Sequence, residues 1–176
     1  MVKRKFRTLR VARASTGSAL GVLRVGPHAM PVALGRGGIR ANKFEGDGAT
    51  PRGRFRLVRL WWRMDRFSRP QTLLRTRPIR TEDGWCEDSA DRNYNRPVHM
   101  PENGNADRLW RKDGLYDFVI ELDHNTRPRV ARRGSAVFIH VARAKLSPTA
   151  GCVALPAPVL KRLLAQIARN AVIEIG

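Results

Sequence analysis

The chain has 176 residues, which suits one domain with a single substantial core, and its 42% apolar content argues against wholesale disorder. Its formal net charge of +19 comes mainly from arginines spread along the chain, so it predicts at most weak, non-specific binding of nucleic acid. Two cysteines are too few for a disulfide framework, and no apolar run approaches the ~18 residues of a membrane helix.

The N-terminal segment, residues 1–13, is basic, with six Lys and Arg side chains, and we expect it to be flexible. A single domain is expected over residues 14–176. Residues 19–25 are too short, and too interrupted by Arg24, to form the apolar core of a signal peptide. These features predict a cytoplasmic protein. The periplasm or cell envelope is the alternative if the start is mis-assigned or export is non-standard.

The first two thirds of the chain contain short runs that are typical of strands. Apolar runs at 19–25 and 29–34 are separated by a Gly-Pro pair and predict a hairpin. Residues 54–62 alternate between basic and apolar side chains, which predicts a strand with one solvated face. Residues 63–114 are polar and lack periodicity, so they predict a long loop that is functional or flexible.

The last third adds two buried strands and one helix. Residues 115–122 place their large apolar side chains on one face, and residues 136–142 are apolar throughout. Prolines in the first turn and an apolar stripe predict a helix over 158–169, followed by a closing strand over 171–175. The predicted fold class is therefore mainly β with few helices.

A reactive-site pattern lies between the second buried strand and the helix. His140 is near the end of the strand, and Thr149, Gly151 and Cys152 follow in the turn. A thiol is a weak nucleophile until a nearby imidazole takes its proton. Gly151 lets the backbone turn sharply, so that amides around Cys152 can face a developing oxyanion. A cysteine alone is more often a small buried apolar residue, and we assign Cys86 a structural or incidental role.

Two further stretches accompany this segment: Thr-Pro-x-Gly-x-Phe at 50–55 and a polar loop at 84–95. Together, over roughly residues 30–165, they resemble the L,D-transpeptidase catalytic domain, the YkuD-like family. The resemblance implies a β-sandwich-like fold with Cys152 and His140 in one cleft, Cys152 as nucleophile and His140 as base. It also implies that Thr149 supports the turn, that amides near Gly151 hold the oxyanion, and that neither a metal nor an organic cofactor is needed.

The chain departs from the family pattern at three places. Only eleven residues separate His140 from Cys152, and Ala150 and Ala154 stand where many members have polar side chains. Other residues must then hold the substrate carboxylate. Candidates for this role lie in the loop around residues 92–95 and at Arg143; the alternatives are that the loop is an ordinary solvated loop and that Arg143 is plain surface charge. The candidates for substrate binding are Arg92 for a carboxylate, Asn93 and Asn95 for peptide groups, Tyr94 as a partly apolar wall, and Arg143 as a second carboxylate ligand.

The function that the resemblance implies is acyl transfer on peptidoglycan stem peptides. Cys152 would attack the carbonyl of the third-residue L-centre and release the terminal D-amino acid. The acyl group would pass to an amine, as in an L,D-transpeptidase, or to water, as in a cytoplasmic L,D-carboxypeptidase of peptidoglycan recycling. An alternative of another class is a basic nucleic-acid-binding module in which Cys152 is merely packed. We expect a monomer with no membrane partner.

Overall fold

The described residues of this computed structural model, 5–100 and 105–176, form fourteen strands and one α-helix. Several strands have only two to four residues, and the longest has ten. In chain order they are β1 (Phe6–Arg13), β2 (Leu20–Val25), β3 (His28–Ala33), β4 (Ile39–Arg40), β5 (Thr50–Pro51), β6 (Gly53–Trp62), β7 (Thr76–Pro78), β8 (Asp83–Cys86), β9 (Pro97–His99), β10 (Ala106–Arg108), β11 (Phe118–Leu122), β12 (Phe138–Val141), β13 (Val153–Leu155), α1 (Ala157–Leu164) and β14 (Ile167–Ile175).

The main sheet has nine strands in the order β11-β12-β13-β3-β2-β1-β14-β6-β7, and β11 also pairs with β6. This additional pairing closes the sheet on itself into a barrel-like form, which removes most of its open edges. A three-stranded sheet, β10-β8-β9, and a two-stranded sheet, β4-β5, lie beside it. The prediction of a mainly β fold with few helices is confirmed.

The core lies inside the closed sheet because alternate side chains of its strands face inward. Leu9, Leu60 and Ile120 are fully buried, whereas arginines on the same strands, such as Arg10 and Arg54, are exposed. The predicted hairpin is confirmed, since β2 and β3 pair antiparallel along their whole length. The helix α1 has eight residues, and no helix of the described part of the chain is long and apolar enough to cross a membrane.

Three sequence predictions differ from the structure. Residues 63–114 are not one loop: they contain β7 and the whole β10-β8-β9 sheet, whose strands are too short to show periodicity. Within the predicted flexible segment 1–13, residues 6–13 form β1, which lies between β2 and β14 and buries Leu9 and Val11. Residues 1–4 lie outside the described residues.

The helix is shorter than its apolar stripe predicts. It ends at Leu164, and β14 begins at Ile167, which is fully buried. Ile167 lies three residues after Leu164, so its position in the sequence fits the apolar stripe of a longer helix. In the structure it faces the core from β14 instead. The sequence therefore shows where the apolar side chains lie but not where the helix ends.

Candidate active site

Strands β12 and β13 bring the predicted nucleophile and base to one face of the sheet. They pair in parallel, with Ile139 opposite Val153 and His140 opposite Ala154. Cys152 directly precedes β13, and its Sγ accepts a hydrogen bond from the Phe138 amide at 3.4 Å. Because side chains alternate along a strand, His140 and Cys152 lie on the same face, two residues apart in the register.

The turn before Cys152 is held by Thr149. The Thr149 hydroxyl donates to the Cys152 carbonyl at 2.7 Å and accepts from the Gly151 amide at 3.1 Å. Gly151 has φ +146°, and a Cβ there would lie 2.9 Å from the Ala49 carbonyl oxygen, so only glycine fits. Thr149 thus supports the turn. The Gly151 amide is engaged by Thr149, and the oxyanion role predicted for the amides near Ala150, Gly151 and Cys152 stays a prediction.

The Thr-Pro-x-Gly-x-Phe motif supports the same turn from the other side. The Thr50 hydroxyl accepts from the Gly35 amide at 2.8 Å, and Gly35 forms a parallel bridge with Thr149. A Cβ on Gly35 would lie 2.2 Å from the Gly48 carbonyl oxygen, so the two segments touch through bare backbone. The motif therefore stabilises the turn before Cys152 through buried backbone contacts.

The thiol and the imidazole are both neutral in this structure. The Cys152 thiol donates to the Ala136 carbonyl at 3.2 Å, and burial raises its pKa to about 12. The His140 Nδ1–H donates to the Val141 carbonyl at 2.8 Å, which leaves Nε2 as the acceptor that a base requires. Burial lowers the pKa of His140 to about 4.

Within the described residues, the hydrogen bonds of the thiol and of the ring run to backbone atoms, and none joins Cys152 to His140. Tyr116 lies against both groups: its ring meets the His140 ring edge-on at 5.4 Å, and the Cys152 charge contributes to the raised pKa of Tyr116, after burial. Catalytic hydrogen bonds are often long before substrate binds.

Cys152 opens into a cavity of about 300 Å³. This cavity is named the cleft below. His140 does not line it. Most of the polar residues of the cleft were not predicted from the sequence, because they come from distant parts of the chain. The one indication in the sequence was Glu87, an acidic residue directly after the Gly-Trp-Cys stretch. The polar side chains of the cleft are Arg36, Lys43, Glu45, Glu87, Asn105, Asp107, Tyr116 and Ser135.

Two residues of the predicted substrate-binding loop, Asn95 and Tyr94, make hydrogen bonds within the protein. The Asn95 side chain accepts from the Trp85 indole N–H at 3.0 Å and from the Ala136 amide at 3.2 Å, and its amide donates to two further carbonyls. Its hydrogen-bonding capacity is thus used internally, which corrects its assignment to substrate. The Tyr94 hydroxyl donates to Glu45 of the cleft. Three other candidates do not line the cleft, and their roles stay predictions: Arg92, Asn93 and Arg143.

The fold and this site define a mainly β domain with a buried cysteine, a neighbouring histidine oriented by a backbone carbonyl, and a threonine-supported turn. A family model described as the L,D-transpeptidase catalytic domain matches residues 7–175, nearly the whole chain. The protein therefore belongs to the L,D-transpeptidase catalytic-domain family. Searches of the curated proteins and of the solved structures find no match.

Proposed function

We propose that the protein is a cysteine acyl-transfer enzyme that attacks the third-residue L-centre of a peptidoglycan stem peptide and releases the terminal D-amino acid. Membership of the L,D-transpeptidase family supports peptidoglycan as the general substrate. The observation that carries the proposal is the placement of Cys152 on the cleft wall, on the same sheet face as a His140 whose free Nε2 can accept a proton.

The neutral state of both groups shapes the mechanism. A thiol with a pKa near 12 and an imidazole with a pKa near 4 do not form an ion pair at rest, so proton transfer accompanies attack. As Sγ bonds to the peptide carbonyl carbon, the thiol proton passes to Nε2 of His140. The imidazolium then protonates the leaving amine, and a thioester on Cys152 remains.

The second half-reaction decides between two products. An amine that attacks the thioester completes an L,D-transpeptidation, and water completes an L,D-carboxypeptidation. Both share the first half-reaction, so release of the terminal D-amino acid tests the proposal irrespective of the acceptor.

The test is incubation of the purified protein with stem tetrapeptide, with and without an amine acceptor, followed by mass analysis. We expect release of the terminal D-amino acid by the wild type and by Cys86→Ala, and none by Cys152→Ala. A carbapenem, which acylates nucleophilic thiols, should add its intact mass at Cys152. Release by Cys152→Ala at the wild-type rate would refute the proposal.

A further inference from the structure

The cleft is acidic although the chain carries a net charge of +19. Glu45, Glu87 and Asp107 line the same cavity as Cys152. Two basic residues also line it: the Lys43 ammonium group lies 2.5 Å from the Asp47 carboxylate and is neutralised there, and Arg36 is exposed to solvent. Negative charge therefore predominates where the second substrate must enter.

The three carboxylates differ in how well they are compensated. Glu45 accepts from the Tyr94 hydroxyl, and Asp107 accepts from the Tyr116 hydroxyl at 2.5 Å and from Arg111 at 3.5 Å. No hydrogen bond or ion pair from another described side chain reaches Glu87. Burial, and then the charges of Asp107 and Glu45, raises the pKa of Glu87 to about 7.

An independent observation points to a missing ligand. The Ser135 hydroxyl has no hydrogen-bond partner among the described residues, although the side chain is only 8% exposed and lines the cleft. A buried unpaired hydroxyl costs roughly 1–3 kcal/mol, so a polar group from a ligand would relieve it. Ser135 precedes Ala136, whose carbonyl accepts the Cys152 thiol. The unpaired hydroxyl thus belongs to a residue that lines the same cavity as Cys152.

A small organic cation fits these groups better than a metal ion. In the described part of the chain, no three His, Cys, Asp or Glu side chains converge closely enough to hold a metal. A primary ammonium group has three donors and one positive charge. It can bond to separate carboxylates and to a hydroxyl across a cavity of this size.

We propose that Glu87, together with Asp107 and Ser135, forms a subsite for the ammonium group of the amine that accepts the acyl chain from Cys152, and that Glu87 removes one proton from it. This inference rests on the proposed acyl transfer and assigns its acceptor. An acidic subsite concentrates a cationic acceptor near the thioester and so favours aminolysis over hydrolysis.

The proton balance defines the role of Glu87. The acceptor arrives as R–NH3⁺ and gives one proton to the Glu87 carboxylate, which frees the nitrogen lone pair. The nitrogen bonds to the thioester carbonyl carbon, the C–S bond breaks, and a second proton passes from nitrogen through His140 to the departing sulfur. The products are an amide, the Cys152 thiol and a protonated Glu87, which returns its proton to water. A base that titrates near neutral pH suits this transfer.

The experiment compares wild type, Glu87→Gln and Glu82→Gln. Glu82 directly precedes β8 and does not line the cleft, so it is the matched control. The donor is stem tetrapeptide, and the acceptor is a stem tripeptide with a free side-chain ammonium group. For Glu87→Gln we expect the ratio of coupled to hydrolysed product to fall about tenfold, with D-amino acid release without acceptor measured alongside it. Glu82→Gln should keep both values.

Two further readouts separate this subsite from a structural effect of Glu87. The product ratio should rise with pH around 7 in the wild type, and Glu87→Gln should lose that inflection. Binding of the acceptor to Cys152→Ala, measured by calorimetry, should weaken at least about fivefold with Glu87→Gln, and acetylation of the ammonium group should weaken it similarly. This measurement needs no turnover, so it tests the subsite even if acyl transfer fails. Unchanged acceptor binding and an unchanged product ratio would overturn the inference.

Discussion

Two cavities of the molecule carry opposite charge. The cleft at Cys152 is lined by three carboxylates and two basic residues, Arg36 and Lys43, whereas a larger cavity of about 1000 Å³ beside β6 and β14 is lined by seven arginines and two carboxylates. We name the second region the arginine wall. Its basic residues are Arg56, Arg59, Arg69, Arg75, Arg127, Arg129 and Arg169.

The difference shows that net charge does not predict the charge of a site. On the arginine wall both carboxylates are paired, Glu121 with Arg59 at 3.0 Å and Asp123 with Arg56 at 3.0 Å. Positive charge is therefore in excess there, and burial together with neighbouring arginines lowers the pKa of Arg129. In the cleft the excess is negative. We therefore expect the arginine wall to attract a polyanion and the cleft to attract a cationic substrate.

The largest expected effect comes from removing the Cys152 thiol, in comparison with removing positive charge from the arginine wall. Cys152→Ala should lower the rate of D-amino acid release by at least about 10³-fold, because the covalent route is lost. A double variant of the arginine wall, Arg75→Gln with Arg127→Gln, should stay within about twofold of wild type. The measurement is tetrapeptide turnover by mass spectrometry, with circular dichroism to check folding. Equal losses in both variants would show that the two regions do not act separately.

The next effect is on the free energy of unfolding, compared between an asparagine near the cleft and one on the arginine wall. Asn95→Ala should destabilise the fold by roughly 2–4 kcal/mol, because it leaves the Trp85 indole N–H, the Ala136 amide and two carbonyls buried without their partner. Asn170, which is exposed on the arginine wall, is the matched control, and Asn170→Ala should stay within about 0.5 kcal/mol. Urea unfolding measures both. A small effect of Asn95→Ala would contradict its structural role.

A smaller effect is the pH dependence of the cleft. The pKa of Glu87 is raised by burial from 4.5 to about 7, so between these values the folded state binds more protons than the unfolded state. Its contribution to stability is therefore present below pH 4.5 and is lost as pH rises through 7. Glu87→Gln should gain on the order of 1 kcal/mol relative to wild type between pH 5 and pH 8, allowing for partial solvent screening.

The control for this pH dependence is Glu82→Gln. Since hydrogen bonding, first to its own backbone, lowers the pKa of Glu82, this variant should show no stability gain at pH 8. Denaturant midpoints across the pH series provide the comparison. An equal gain in both variants would mean that it does not come from the cleft.

The smallest expected effect is binding of DNA to the arginine wall. Contacts to phosphates without base recognition should give weak, sequence-independent binding that fades by roughly 0.2 M salt. Arg75→Gln with Arg127→Gln should weaken it further, and Glu87→Gln should not. Titration of a labelled duplex and peptide turnover are followed over one salt series. Sequence-selective binding at high salt without turnover at any salt would favour the nucleic-acid-binding alternative.

Local patterns in the sequence were sufficient for much of the site. The pairing of β2 with β3, the buried strand that carries His140 and the turn at Thr149 all follow from residues close together in the chain. Backbone preference, alternation and short-range hydrogen bonds act over a few residues, so they leave a readable pattern. The ring of His140 is oriented by the next residue for the same reason.

The acid lining of the cleft was decided only by the tertiary structure. Glu45, Glu87, Asp107 and Ser135 lie up to ninety residues apart, and the β10-β8-β9 sheet brings two of them to Cys152. Strands of three or four residues have no periodicity, and a charge shows its partners only after folding. The sequence by itself therefore determined the family and the mainly β class, and it predicted Cys152 and His140 as the candidate reactive pair. The closure of the sheet, and the burial it causes, decided the protonation states, the internal role of Asn95 and the charge of the cleft, because desolvation and like-charge proximity depend on distances in space rather than along the chain.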